Sequence, residues 1–169
     1  ADYVIPRCPV APVREEPSHA AEQATQLLLG EVCEVVERRS GWIKIRSTMD
    51  GQVGWVTASM LGSVSQATVR QLDEHRETHG EAVVATPMAT ATQTGQQLML
   101  TIGTRLPQYA NGTFQLLDQQ YLIDSACVYQ TKRADGTKVT GQDLVRVARS
   151  LMNVPYLWGG KNIMGYDCS

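Results

Sequence analysis

The chain is a succession of short apolar runs whose period changes only near its C-terminal end. Residues 31–37 are largely β-branched and apolar between charged neighbours, which predicts a strand. After an Arg39-Ser40-Gly41 turn, Trp42-Ile43-Lys44-Ile45-Arg46 alternates with period two, giving one apolar and one basic face. Asp50-Gly51 is a hairpin signal, Gly54-Trp55-Val56 starts another strand, and residues 59–62 read as a short closing turn of helix. Ahead of these, residues 1–12 are rich in Pro and Val and predict an extended lead-in. Residues 20–29 (AAEQATQLLL) have helical propensity, although they are confined between a Pro turn and Gly30. Short strands spaced by regular turns predict a small β-barrel.

Residues 64–80 are polar, charged and without alternation, and predict a linker with some helical character closed by Gly80. The β pattern then returns more faintly over 81–130. Strands are predicted at Ala82-Val83-Val84-Ala85 and Leu98-Met99-Leu100, with a Thr-, Ala- and Gln-rich loop over 86–96 between them. Residues 103–107 lead into a third strand, Asn111-Gly112 marks a hairpin flanked by Tyr109 and Phe114, and strands at 121–124 and 126–129 finish the set. A module of about fifty residues buries too little surface to stand alone, so this one is expected to pack on the first or on a third domain. A turn-rich connector (131–138, with Lys132, Arg133 and Asp135-Gly136) precedes the change of period. Thr140 with Asp143 three residues on predicts a helix start close to a capping box. Leu144, Val145, Val147, Ala148, Leu151 and Met152 form a core-facing stripe, with Arg146 and Arg149 off it. Pro155 biases Val154 away from helix, so the helix is expected to end near Asn153.

Composition narrows the function classes. With 43% hydrophobic and 19% charged residues and a net charge of −2, the chain is an ordinary globular sequence and offers nothing to nucleic acid. No apolar run approaches the roughly 18 residues of a membrane span. Cys8, Cys33, Cys127 and Cys168 contain no C-x-x-C pair. Cys33 and Cys127 lie in apolar strand-like runs and are expected to be small buried hydrophobes, while the spacing leaves any disulfide pairing open. His75 and His79 share a helix face. Their run reads H-R-E-T-H rather than H-E-x-x-H, and no third ligand is nearby, so a solvated face is expected rather than a metal site.

The candidate chemistry is at the end of the sequence. Cys168 stands between Asp167 and Ser169, behind an amphipathic helix and the Gly159-Gly160 turn. Cysteine attacks as a thiolate, which a helix N-terminus or a cation stabilises. A position just past a glycine-rich loop, where a helix would start, fits an activated nucleophile, and helix-start amides could receive an oxyanion there.

Two stretches resemble known families. The order of a strand, Gly41-Trp42-Ile43-Lys44-Ile45, Asp50-Gly51 with Gly54-Trp55-Val56, and Ser59-Met60-Leu61 resembles the bacterial SH3-like domains attached to cell-wall enzymes, over roughly residues 10–62. Residues 138–169, with Val154-Pro155-Tyr156-Leu157-Trp158-Gly159-Gly160 and Gly165-Tyr166-Asp167-Cys168-Ser169, resemble the start of the NlpC-type cell-wall cysteine peptidases. Together the layout resembles the γ-D-glutamyl-L-diamino acid endopeptidases. The resemblance implies a mostly β chain: two small SH3-like barrels followed by the first helix and nucleophile loop of a papain-like α+β domain. The expected divisions are 1–63 (first SH3-like domain with its lead-in), 64–80 (linker), 81–130 (second, diverged SH3-like domain) and 131–169 (start of the peptidase domain).

The same resemblance implies site roles. Cys168 is the nucleophile, Tyr156 directs its hydroxyl toward it, Asp167 holds the free amine of the substrate, and Ser169 contacts substrate. Trp158 is expected to pack. In the first barrel one of Trp42 and Trp55 is expected in the core, the other free to line a groove. Members of this family carry a histidine base downstream of the cysteine. Here the histidines are His19, His75 and His79, all upstream, so activity is expected of a longer parent and not of these 169 residues alone. The implied substrates are peptidoglycan stem peptides with a free N-terminal L-Ala, cleaved at γ-D-glutamyl-diamino acid bonds without cofactor or metal. A periplasmic or secreted location follows, with cytoplasmic recycling as the other option. Two other readings stay open: a non-catalytic SH3-like module binding cell wall or peptide, and amidase or acyltransferase chemistry on the same scaffold.

Overall fold

The computed structural model describes residues 1–132, 140–162 and 164–167, and within these the chain is mostly β. The connector residues from Arg133 through Lys138, and the site positions Cys168 and Ser169, lie outside the described residues. The first seven strands are β1 (Tyr3–Pro6), β2 (Val10–Arg14), β3 (Gln23–Leu28), β4 (Cys33–Arg39), β5 (Trp42–Ser47), β6 (Val53–Thr57) and β7 (Leu61–Val64). They form one curled antiparallel sheet in the order β3-β2-β6-β5-β4-β1-β7. The period-two reading of β5 holds: Ile43 and Ile45 are buried, while Lys44 and Arg46 face out. Of the two tryptophans, Trp55 is the core residue, with the Arg39 guanidinium and the Lys44 ammonium over its ring at 4.9 and 5.7 Å. Trp42 is half-buried against His19, ring centroids 4.9 Å apart.

Two segments differ from the sequence reading. The lead-in is a central strand, because β1 pairs with both β4 and β7. Residues 20–29 form no helix; Gln23–Leu28 is β3, whose last four residues are all buried. Helix propensity is a weak prior, and here it yields to burial: Leu27 enters the first core while Leu29, just beyond, enters the second.

Residues 64–80 hold a complete helix, α1 (Gln66–His79), rather than a linker with partial helicity. Ser65 caps it by accepting from the Thr68 N–H at 3.0 Å, and Gly80 ends it at φ +76°. His75 and His79 stack on one another with centroids 4.4 Å apart, and burial followed by the His79 charge holds the His75 imidazole below its ordinary range.

The barrel plan then recurs with β8 (Ala82–Val84), β9 (Met88–Gln93), β10 (Gln96–Thr101), β11 (Thr113–Leu116), β12 (Gln119–Ile123) and β13 (Val128–Gln130). First and last strands pair, β8 with β13 as β1 with β7, and each last strand follows a single 3₁₀ turn, at Ala58–Met60 and Ser125–Cys127. The expected loop over 86–96 is largely β9, in which Ala89 and Ala91 point inward and Thr90 outward. Small side chains carry that alternation, which is why it reads as a loop. Residues 103–107 contribute one bridge, Val83 to Arg105, rather than a strand start. At the Asn111-Gly112 hairpin both residues have positive φ, 48° and 78°, between buried Tyr109 and Phe114.

Two apolar clusters result. One holds Val4, Val13, Ile43, Ile45 and Val56 within the first sheet. The other is built on Leu100, Phe114, Leu116 and Tyr121 of the second sheet, and is completed by Ile5 and Leu29 of the first.

The C-terminal helix α2 (Gly141–Ser150) opens on a full capping box. Thr140 Oγ1 accepts from the Asp143 N–H at 3.3 Å, and Asp143 Oδ2 accepts from the Thr140 N–H at 3.1 Å. The helix ends at Ser150, one turn short of the expected limit, and Asn153 turns the chain at φ +71°. Of the stripe read as core-facing, Val145 and Met152 are 50% and 68% exposed, and Val147 is only partly covered. After α2 come two short strands, β14 (Lys161–Asn162) and β15 (Gly165–Tyr166).

Because Leu29 directly follows a strand of one sheet and fills the core of the other, Leu29→Ala should destabilise the protein by about 2–5 kcal/mol in urea unfolding. Leu122→Ala, at an exposed β12 position, should stay within about 0.5 kcal/mol of the parent.

Candidate active site

The segment after α2 folds back on itself so that the residues leading to Cys168 form a small hairpin. Tyr156 makes a parallel bridge with Tyr166, through the Leu157 N–H donating to the Tyr166 carbonyl (2.9 Å) and the Tyr166 N–H donating to Pro155 (3.0 Å). β14 pairs with β15, Lys161 opposite Tyr166 and Asn162 opposite Gly165. Side chains are excluded from the inside of this turn. A Cβ on Gly160 would collide with the Gly165 carbonyl, and one on Gly165 with Leu157. Gly159 adopts φ +70°, and a Cβ there would lie 3.1 Å from the carbonyls of both Gln23 and Ala24. The glycines that suggest a tight turn in the sequence therefore serve close packing onto β3 as well.

Asp167 is fixed at both ends. Its N–H donates to the Gly160 carbonyl at 3.2 Å, and its Oδ2 accepts from the Gly159 N–H at 2.9 Å. The structure thus brings Tyr156 and Asp167 onto one hairpin; Cys168 and Ser169, the next residues, are outside the described residues. Tyr156 is 65% exposed and Trp158 60% exposed. The expectation that Trp158 packs is corrected: its carbonyl, not its ring, makes the tertiary contact, by accepting from Gln23 Nε2 at 3.1 Å.

What seats the hairpin is a set of residues that sequence reasoning missed. Gln26, 6% exposed on β3, accepts through Oε1 from the Lys161 N–H and from Asn162 Nδ2, both at 2.8 Å. Asn162 in turn accepts from the Met164 N–H at 2.8 Å. The Lys161 ammonium reaches Asp50 Oδ2 at 3.8 Å. Glu31, also 6% exposed, lies in the same charge cluster. Burial raises its carboxyl above the ordinary 4.5, against the opposing pull of Lys161 and Arg105. Burial also acts to raise Asp50, but the Gln52 N–H, the Ser47 hydroxyl and Lys161 together outweigh it and hold the carboxyl below its ordinary range. The one signal in the sequence was a glutamine inside the apolar run Thr25-Gln26-Leu27-Leu28-Leu29. On the other side, burial pushes the Tyr166 phenol up, and Thr101 of β10 partly opposes this.

The other described thiols have no part in this hairpin. Cys33 is buried, and burial followed by the Glu31 and Asp50 charges pushes its thiol up to about 12. Cys8 is half-buried and also raised by burial, and Cys127 is only partly covered, less than its apolar context suggests. All three are free thiols.

Residues 13–61 match the family described as the bacterial dipeptidyl-peptidase SH3 domain. Over 90% of its length the chain is 23% identical to the gamma-D-glutamyl-L-lysine dipeptidyl-peptidase of Bacillus cereus. The protein of the same name from Bacillus subtilis is 24% identical over 86%. The chain spans about half the length of these curated relatives, 49% in each case. Among solved structures, an NlpC/P60 family protein from Bacillus cereus has the same fold, with a TM-score of 0.76, 16% identity, and coverage of 98% of this chain and 68% of that one. By domain content and by fold, the chain resembles the NlpC-type peptidases that carry N-terminal SH3-like domains.

The charge cluster under the hairpin makes a pH prediction. A carboxyl whose folded pKa is raised contributes fully below its unfolded value and loses that contribution as pH rises through the folded one. Glu31→Gln should therefore match the parent in thermal unfolding near pH 4 and be the more stable of the two at pH 7; equal stability at both values would refute the burial argument. Iodoacetamide near neutral pH should leave Cys33 unmodified in the folded protein while labelling it after denaturation.

Proposed function

We propose that the protein is a cysteine peptidase that hydrolyses γ-D-glutamyl-diamino acid bonds in peptidoglycan stem peptides, through Cys168 acting within its full natural polypeptide. The observation that carries this reading is the construction of the hairpin. Two glycines and the Asp167 carboxylate lock the segment that runs directly into Cys168, and the whole is seated on an SH3-like barrel. Further support comes from the curated relatives, which match most of the chain and are named for dipeptidyl-peptidase action on a γ-D-glutamyl-L-lysine bond.

In this reading the Cys168 thiolate attacks the γ-carbonyl of D-glutamate, and a tetrahedral oxyanion forms. Collapse releases the amine of the diamino acid, which takes up a proton, and leaves a thioester. Water then attacks the thioester and frees the D-glutamyl carboxylate and the thiol. Tyr156, whose ring is at the surface beside the hairpin, is assigned to stabilising the oxyanion. Asp167 is assigned to the free N-terminal amine of L-Ala: a carboxylate beside a thiol disfavours the thiolate, and a cationic substrate group offsets that charge. Proton transfer is assigned to a histidine of the full polypeptide other than His19, which packs on Trp42, and the stacked pair His75 and His79.

Mass spectrometry of products from L-Ala-γ-D-Glu-diaminopimelate should show the dipeptide and the free diamino acid. Cys168→Ala should lower the rate by at least about 10³-fold. Asp167→Asn should erase the preference for a free over an acetylated N-terminus. Transfer of the acyl group to an amine or lipid with no hydrolysis would reject the peptidase in favour of a transferase, and saturable peptide binding with no product in any form would leave a binding module.

A further inference from the structure

We infer that Gln26, a residue of the SH3-like barrel and not of the peptidase segment, is a positioning residue for the Cys168 nucleophile. The inference rests on the proposed peptidase reading and adds to it the part that places the nucleophile.

The geometry is a chain of amide contacts across the seam between β3 and the hairpin. Gln26 Oε1 takes two hydrogen bonds from consecutive hairpin residues, the Lys161 N–H and Asn162 Nδ2. The Gln26 amide nitrogen faces Gln23 Oε1 at 3.5 Å, and Gln23 Nε2 donates to the Trp158 carbonyl. Both ends of the 158–162 turn are therefore held by two side chains three residues apart on one strand. From that turn the order passes on through backbone bonds: Gly159 to the Asp167 carboxylate, Asp167 to the Gly160 carbonyl, and β14 to β15. The residue after Asp167 is the nucleophile.

Among the described residues, the bonds to the Gln26 side chain come from the hairpin and from Gln23. Both donors on its Oε1 come from the hairpin, its neighbours Leu27 and Leu28 supply the apolar burial of β3, and a buried polar side chain is costly unless its bonds repay it. It accepts from two consecutive hairpin positions at once, so a shift of the hairpin along β3 breaks both bonds together. Small displacements of a nucleophile cost rate far more than they cost folding, since productive attack tolerates only a narrow geometry.

The test uses the full natural polypeptide and three variants, Gln26→Met, Gln26→Glu and Gln23→Ala, with far-UV circular dichroism to establish that each is folded. The readouts are the pH profile of iodoacetamide labelling at Cys168, read by peptide mass spectrometry, and kcat and KM on L-Ala-γ-D-Glu-diaminopimelate. Gln26→Met keeps the volume and removes the acceptor. It should lower kcat by about 10- to 100-fold with KM little changed, and move the labelling profile of Cys168 to higher pH. Gln26→Glu keeps an acceptor oxygen in either protonation state and should recover most of the rate. Gln23→Ala, at a partly exposed position, should give a smaller loss of the same kind.

If Cys168 of the parent labels no faster than free cysteine, the peptidase reading falls and this inference with it. If the parent labels fast and Gln26→Met is folded and unchanged in kcat and in labelling profile, this inference alone falls. If Gln26→Met does not fold, the comparison passes to the other two variants: slower labelling in Gln23→Ala with recovery in Gln26→Glu supports the role, and two parent-like profiles overturn it.

Discussion

Each of the two curled sheets is of a size at which burial barely offsets the entropy of ordering the chain. The molecule meets this constraint by letting one sheet complete the core of the other. Ile5 on β1 and Leu29 just after β3 send their side chains to join Phe114, Leu100 and Leu116 in the second core. The approach is close enough that Gly30, at φ +84°, could not carry a side chain without striking the Arg105 carbonyl. Arg105 is in turn held by Glu81 at 3.1 Å, next to the end of α1. With the two sheets fixed to one another, a single surface is available on which a third element can be seated.

That element is the hairpin before Cys168, and its contacts are polar where those between the sheets are apolar. Amide groups and one lysine meet amides and two acids, so the seam has direction as well as affinity. A hydrophobic seam would tolerate sliding; paired donors and acceptors at 2.8 Å do not. The price is a buried carboxyl, Glu31, and a cluster in which Lys161 faces more acid than base. Burial, with those same acids adding to it, raises the Cys33 thiol and keeps it unreactive.

The elements with strong local signals were legible in the sequence. The alternation of β5, the Asn111-Gly112 turn and the Thr140 cap each depend on neighbours a few residues apart, and each stands as read. Segments whose conformation is set from a distance were not. β3 has helical propensity and becomes a strand because β2 and the second core need it; β9 hides its period behind alanines; the lead-in is central because its partners lie some thirty and sixty residues away. The site divided the same way. Tyr156, Asp167 and the glycines were visible as a motif and share one hairpin. Gln23, Gln26, Glu31 and Asp50 belong to a barrel whose sequence pattern reports only its own fold, and their bearing on the hairpin emerges from packing over more than a hundred residues.

The position of β1 has a consequence for how the molecule is made. β1 cannot be paired until residues 33–34 and then 61–64 have followed it from the ribosome, and Ile5 is not covered until the second sheet exists. A nascent chain therefore holds an unpaired apolar strand until those partners emerge. Pairings of such long sequence separation form slowly. Short length, at four residues, and Pro6 at its end limit what that waiting strand can recruit from other chains.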